Sequence, residues 1–169
     1  RGPSSINWPL IQGETRTGLT IFWPDKGLDT GPVLLQKEVD IGPDDTVGSL
    51  YFDKLFPLGV EATVEAVAMV RNGTAPRLAQ DESQATYEGW CKAEDIVIDW
   101  SQPVTEVYNL IRGGDPSPGA GSTLDGVKIR WSTQGDHTAN GLGMGQSGSQ
   151  SELPARRVPP EANTAWVSS

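Results

Sequence analysis

With 169 residues, the chain is long enough for one ordinary domain or two incomplete ones. Its 22 acidic against 13 basic side chains give a formal net charge of -9, so binding a phosphate backbone would need a locally basic face, and Arg156-Arg157 is the basic pair that stands out. Hydrophobic residues make up 36 % and glycine plus proline 33 positions (20 plus 13), which points to a loop-rich α/β core; no run of about 18 apolar residues offers a membrane span.

Pro3 to Leu10 opens a predicted helix, with Pro3 in the first turn where its missing N–H is harmless and Pro9 shortening or kinking the helix. Gln12-Gly13-Glu14 and Arg16-Thr17-Gly18 form a polar link. Leu19 to Trp23 and Pro32 to Leu35 are apolar runs with β-branched and aromatic residues, predicted as two buried strands, the second continuing through Lys37 to Ile41. Between them lies a tight turn of Pro24, Asp25, Lys26, Gly27, Asp29, Thr30 and Gly31. A carboxylate at the rim of a sheet is a turn-former or a chemical group, and composition alone favours the turn-former.

Asp44, Asp45 and Thr46 supply negative charge and a cap to the next helix. Val47, Leu50, Lys54 and Leu55 follow near-helical spacing. Phe56-Pro57 interrupts, and Val60, Val64, Val67 and Arg71 resume the pattern until Asn72-Gly73 stops it. Val60, Val64 and Val67 are expected in the core, on a helix packed against the sheet that carries Asp29. Thr74 to Thr86 reads as a linker, Tyr87 to Lys92 as a short helix, and Asp95 to Trp100 as a strand.

Ser101 is expected to cap a helix with the apolar face Val104, Val107, Tyr108 and Ile111, ending at Arg112-Gly113-Gly114. After a loop from Pro116 to Gly121, Leu124-Asp125-Gly126-Val127 is a hairpin turn, and Val127, Ile129 and Trp131 share one strand face. Residues 132–169, rich in Gly, Ser, Gln and Pro, are expected to be a disordered or aberrant tail, because they bury too little apolar surface to offset chain ordering. His137, the only histidine, lies there and receives no role. Single Cys91 cannot form an internal disulfide and, with no leader segment in front, suggests a reducing, cytoplasmic compartment. No metal site is expected.

The stretch Gly27-Leu28-Asp29-Thr30-Gly31 resembles the signature loop of the folate-dependent formyltransferase family. Arg1-Gly2-Pro3-Ser4-Ser5-Ile6-Asn7-Trp8 resembles the segment that comes after the family's catalytic histidine. Asp44-Asp45-Thr46, Leu55-Phe56-Pro57, Ala75-Pro76-Arg77, Ala85-Thr86-Tyr87, Ile98-Asp99-Trp100, Tyr108 to Gly113 and Pro118-Gly119-Ala120 fall where the family has similar runs. Phe22-Trp23-Pro24-Asp25 and Ala85-Thr86-Tyr87-Glu88-Gly89 are closer to the 10-formyltetrahydrofolate dehydrogenase hydrolase-domain type than to methionyl-tRNA formyltransferase, which is also similar.

The resemblance implies an α/β fold: residues 1–80 as the C-terminal half of a Rossmann-like formyltransferase domain, and 81–131 as the start of a small, truncated β-barrel-like C-terminal domain. It implies 10-formyltetrahydrofolate as formyl donor, with water, an amine, a sugar nucleotide or an aminoacyl-tRNA as acceptor. Asp29 is the expected catalytic carboxylate. Lys26, Gly27, Leu28 and Asp29 are the expected folate-binding loop, and Arg1 is expected to hold a carboxylate or phosphate. The family's catalytic Asn and His have no counterpart here, and Gly121 stands where an aromatic residue is usual. Beginning at Arg1 in mid-motif, the chain reads as a fragment, inactive alone, that works with an upstream part of the same protein; a methionyl-tRNA formyltransferase and a non-catalytic folate-binding remnant are the alternatives.

Overall fold

A computed structural model of the chain describes residues 1–133; the expectations for the tail beyond Thr133, including His137, lie outside the described residues. Helix α1 (Asn7–Ile11) is short. Pro9 falls in its first turn, where a missing N–H breaks no helical bond. Strands β1 (Arg16–Phe22) and β2 (Val33–Asp40) pair antiparallel, Arg16 opposite Asp40 and Phe22 opposite Val33, with an irregularity after Ile21. Arg16 to Gly18 thus belong to β1 and are not a link. The Arg16 guanidinium holds Glu38 at 2.7 Å and Asp40 at 3.3 Å, a cross-strand charge pairing suited to an exposed ribbon.

The two strands are less buried than their composition predicts. No residue of β1 is buried, and β2 is buried at Val33 and Leu34. The reason is architectural: among the described residues the sheet has two strands.

Thr46 caps helix α2 (Val47–Ser49) through a capping box, its Oγ1 accepting from Ser49 N at 3.1 Å while Ser49 Oγ accepts from Thr46 N at 2.9 Å. The helix widens into a π turn at Leu50–Leu55 and continues as α3 (Phe56–Arg71). Phe56-Pro57 therefore does not interrupt it. Pro57 lies just past the π turn, in the first turn of α3, so its missing donor costs no regular helical bond. Gly73, at φ 69°, closes the helix as its sequence suggests. The buried residues of this element are Leu50, Leu55, Ala62 and Ala66, whereas Val60, Val64 and Val67 are 53, 68 and 54 % exposed. Their expected place in the core is corrected. The interior here is Leu10, Ile41, Leu50 and Leu55, with Ile6, Val39 and Val47 against them.

Tyr87 to Lys92 is not a helix. Long-range hydrogen bonds hold it extended: Glu88 N donates to Arg1 O at 2.6 Å, Trp8 Nε1 to Gly89 O at 2.9 Å, and Cys91 N to Ser4 Oγ at 2.9 Å. The strand expected at Asp95 to Trp100 shrinks to one parallel bridge, Val97 to Gly121, with Ile96 and Ile98 buried beside it. Helix α4 (Val104–Gly114) starts after Pro103, and Ser101 donates its hydroxyl to Asp99 at 2.7 Å instead of capping the helix. Strands β3 (Ala120–Leu124) and β4 (Val127–Trp131) form the expected hairpin, with Asp125 at φ 50° and Gly126 at φ 80° in the turn.

Helix α4 packs on α1 at Gly113, where a Cβ would sit 2.5 Å from Ile11 Cγ1 and 2.9 Å from Ile11 N. Arg112, at the end of α4, is buried. It donates to Gly42 O at 3.0 Å, Asp45 O at 3.4 Å and Asn109 Oδ1 at 2.8 Å. It thus ties α4 to the turn that launches the long helix.

That turn also carries a pH-sensitive contact. Burial by itself would push the Asp45 carboxyl up, but hydrogen bonds from Lys54 Nζ and Gly42 N, both 2.6 Å, outweigh it and hold the group below its ordinary value. A lowered folded-state pKa stabilises above the unfolded value near pH 3.9, and the contribution disappears as pH falls through the folded value. Asp45→Asn in the whole protein should cost about 1–2 kcal/mol at pH 7 and flatten the acid limb of stability below about pH 4. Urea midpoints measured from pH 7 to pH 3 check this, and parallel curves for both proteins would refute it.

Candidate active site

Ten residues, 23–32, separate β1 from β2 and form the loop that carries Asp29. Its neck is closed by Trp23 N donating to Pro32 O at 2.9 Å. The Trp23 ring is fixed in turn, with Nε1 donating to Pro76 O at 2.9 Å and the Arg77 guanidinium 4.2 Å above its centroid. Inside the loop, Asp25 Oδ1 accepts from Gly27 N at 2.9 Å and from Thr30 Oγ1 at 2.7 Å. These bonds, the Thr30 hydroxyl foremost, hold the Asp25 carboxyl below its usual range. Asp25 is the local turn-former; Asp29 is not.

Asp29 has φ 56°, in the left-handed region that non-glycine residues rarely enter. Such a conformation costs about 1–2 kcal/mol and persists where the surroundings impose it. Here they do. Gln80 Nε2 donates to Asp29 O at 2.8 Å and to Gly31 O at 2.7 Å, pinning the backbone on both sides of Thr30. The Asp29 carboxylate makes no hydrogen bond or ion pair among the described residues, although its charge is felt by Arg1 and helps raise the Arg1 pKa, whose main cause is the Glu82 hydrogen bond.

Asp29 lines a cavity of about 840 Å³ between β1, the face of the long helix and the segment that precedes α1. Ile6, Leu19, Phe22, Tyr51, Phe56, Val60 and Val64 give it an apolar wall, and Arg1, Ser5, Thr20, Asp29, Thr63 and Gln80 its polar groups. Val60 and Val64 are exposed because they face this space. A mostly apolar concavity with a few converging polar groups is the usual form of a small-molecule site, and the volume lies in the range of such sites.

Of the residues singled out from sequence, Asp29 and Arg1 reach the cavity. Lys26, Gly27 and Leu28 are exposed and lie outside its lining. Gly27 has a steric duty, since a Cβ there would fall 2.0 Å from Thr30 Oγ1. The Arg1 guanidinium is engaged within the chain: Nη1 and Nη2 grip Glu82 at 2.8 and 2.7 Å, and Nη2 also donates to Gln80 Oε1 at 3.0 Å. Gln80 and Glu82 carry no signal in the local sequence, which reads there as a linker. Their role comes from contacts about 50 and 80 residues away in the chain. Among the described residues no helix is long and apolar enough to cross a membrane, and no three His, Cys, Asp or Glu side chains could share a metal ion.

The sequence matches the formyl transferase family model over residues 1–67 and the formyl transferase C-terminal domain model over residues 91–152. The second match continues past Trp131, into the stretch expected to be a disordered or aberrant tail. The chain is 47 % identical over 159 residues to cytosolic 10-formyltetrahydrofolate dehydrogenase of Mus musculus, covering 94 % of this chain and 17 % of that protein. It is 51 % identical over 129 residues to the mitochondrial form from the same organism, covering 76 % and 14 %. Methionyl-tRNA formyltransferase of Syntrophus aciditrophicus is 45 % identical over 130 residues, 77 % of this chain and 41 % of its own length. The chain thus spans about a sixth of the dehydrogenases it matches. HypX from Aquifex aeolicus, solved with tetrahydrofolic acid, shares the fold at a TM-score of 0.72 and 20 % identity, over 99 % of this chain and 29 % of that one. A sugar 3N-formyl transferase, WlaRD, aligns at a TM-score of 0.64 and 19 % identity over 99 % of this chain and 59 % of its own. Two family models in their proper order, on an α/β scaffold whose signature-loop aspartate faces a ligand-sized cavity, make this chain a member of the formyl transferase family.

Proposed function

We propose that this chain is part of an enzyme that takes the formyl group from 10-formyltetrahydrofolate and passes it to water or to an amine. The observation that carries the reading is the placement of Asp29: a carboxylate without a hydrogen-bond partner among the described residues, held in a left-handed backbone conformation at the edge of an apolar cavity. The pterin of the donor would lie along the wall of Ile6, Phe22 and Val60, with Asp29, the one residue of the Lys26–Asp29 loop that lines the cavity, at its edge.

In the reaction the acceptor attacks the formyl carbon, and the carbonyl oxygen becomes an oxyanion. The bond from that carbon to N10 then breaks, giving tetrahydrofolate and either formate or a formamide. The acceptor loses one proton and N10 gains one. Asp29 is the proton carrier, accepting from the attacking water or amine through an ordered water and returning the proton toward N10. Oxyanion donors are also required, and the Asn and His that the family uses for this would come from sequence preceding Arg1 in the whole protein. Water is the favoured acceptor, from the similarity to the 10-formyltetrahydrofolate dehydrogenases. The net charge of -9 speaks against a tRNA acceptor. Single Cys91 is in keeping with a reducing, cytoplasmic setting, although mitochondrial relatives exist.

The test is to supply the whole protein with 10-formyltetrahydrofolate and follow formate and tetrahydrofolate, without added acceptor and then with aminoacyl-tRNA or an amino sugar nucleotide. Formate release in water alone supports the hydrolytic reading, and acceleration by one acceptor reassigns it to transfer. No consumption of the donor under any condition removes the proposed activity.

A further inference from the structure

We infer that Gln80 is a positioning residue for Asp29, and that Arg1 and Glu82 form the clamp that orients it. This rests on the proposed role of Asp29 for its effect on turnover, but the geometry stands apart from that role. Both N–H bonds of the Gln80 amide are used, one on the carbonyl of Asp29 and one on that of Gly31. Its oxygen is used too, by Arg1 Nη2, and Arg1 is held in turn by both oxygens of Glu82. The arrangement fixes which end of the amide faces the loop: the donor end must meet two carbonyls, and the acceptor end must meet the guanidinium.

The chemistry of the three sites admits few alternatives. A glutamate at position 80 would turn an acceptor toward two carbonyl acceptors. An asparagine would leave the reach one methylene short. Asp29 occupies the sparsely populated left-handed backbone region, and Gln80 bonds the carbonyl of that same residue. Releasing Gln80 therefore lets Asp29 relax toward ordinary angles and swings its carboxylate out of line with the cavity. The segment read as a linker is thus the outer brace of the reactive loop.

The experiment compares Gln80→Ala, Gln80→Glu and Glu82→Gln with the unsubstituted whole protein. Readouts are kcat and KM for 10-formyltetrahydrofolate and hydrogen exchange over residues 23–33. Gln80→Ala should lower kcat about tenfold to a hundredfold, the scale of a small misplacement of a reacting group, with KM little changed and exchange raised severalfold. Gln80→Glu should be no better than Gln80→Ala. Glu82→Gln, at an exposed position, should show the same effects more weakly, so the inference survives if Gln80→Ala fails to fold. In an Asp29→Asn background, Gln80→Ala should cost little more in kcat, because it acts through Asp29. Unchanged exchange in both Gln80→Ala and Glu82→Gln overturns the inference, as do a loosened loop with unchanged kcat and full additivity with Asp29→Asn. If the unsubstituted protein never consumes the donor, the formyl-transfer reading falls, while exchange still decides whether Gln80 holds the loop.

Discussion

Replacing Asp29 with asparagine in the whole protein should lower kcat for 10-formyltetrahydrofolate by roughly 10²- to 10⁴-fold, the range supplied by a positioned proton carrier, and leave folate affinity close to its starting value. The substitution is informative because of the backbone. At φ 56° asparagine is as well accommodated as aspartate, so the loop keeps its form and the change is confined to the lost negative charge and proton-accepting oxygen. Alanine would confuse the result, since it tolerates the left-handed region poorly and would add strain to lost chemistry. Stopped-assay turnover and equilibrium folate titration separate the two effects. An Asp29→Asn protein with normal kcat would leave Asp29 as a loop residue and no more.

Gly31→Ala should destabilise the protein by about 3 kcal/mol, at the upper end of overpacking costs, and depress turnover with it. A Cβ at this position falls 1.7 Å from Trp23 O and 2.9 Å from Trp23 C, so backbone has to move. The neck cannot yield easily, because Trp23 is tied to Pro32, to Pro76 and under Arg77. Gly31 O is also one of the two carbonyls held by Gln80, so the displacement reaches Asp29 directly. Gly89→Ala is the matched control: nothing lies within 4 Å of its Cβ, and a change within about 0.5 kcal/mol is expected. Equal urea midpoints for Gly31→Ala and Gly89→Ala would show that the neck is more pliable than its contacts imply.

How much of this chain is legible in its sequence depends on the range of the forces involved. The capping box at Thr46, the stop at Gly73 and the hairpin at Asp125-Gly126 are legible because each is decided within four residues. The loop carrying Asp29 is legible as a loop for the same reason. Its support is not, since Gln80 and Glu82 act across the fold from a stretch whose local chemistry suggests only a connector. Tyr87 to Lys92 goes wrong in the same way, its conformation set by bonds to Arg1, Ser4 and Trp8. The valines of α3 mislead for another reason: helical spacing identifies an apolar stripe but not whether that stripe meets a core or a cavity.

The widened turn at Leu50–Leu55 has a consequence for how this helix tolerates insertion and deletion. The buried positions 50, 55, 62 and 66 are irregular when counted along the chain. With one residue of the widened turn left out of the count, they fall at i, i+4, i+11 and i+15, a continuous stripe at α-helical pitch. The flanks on either side are therefore already in phase with each other. A homologue shorter by one residue between 50 and 55 keeps Ala62 and Ala66 inward and Val60 and Val64 toward the cavity; the same deletion inside α3 rotates everything after it by about 100°.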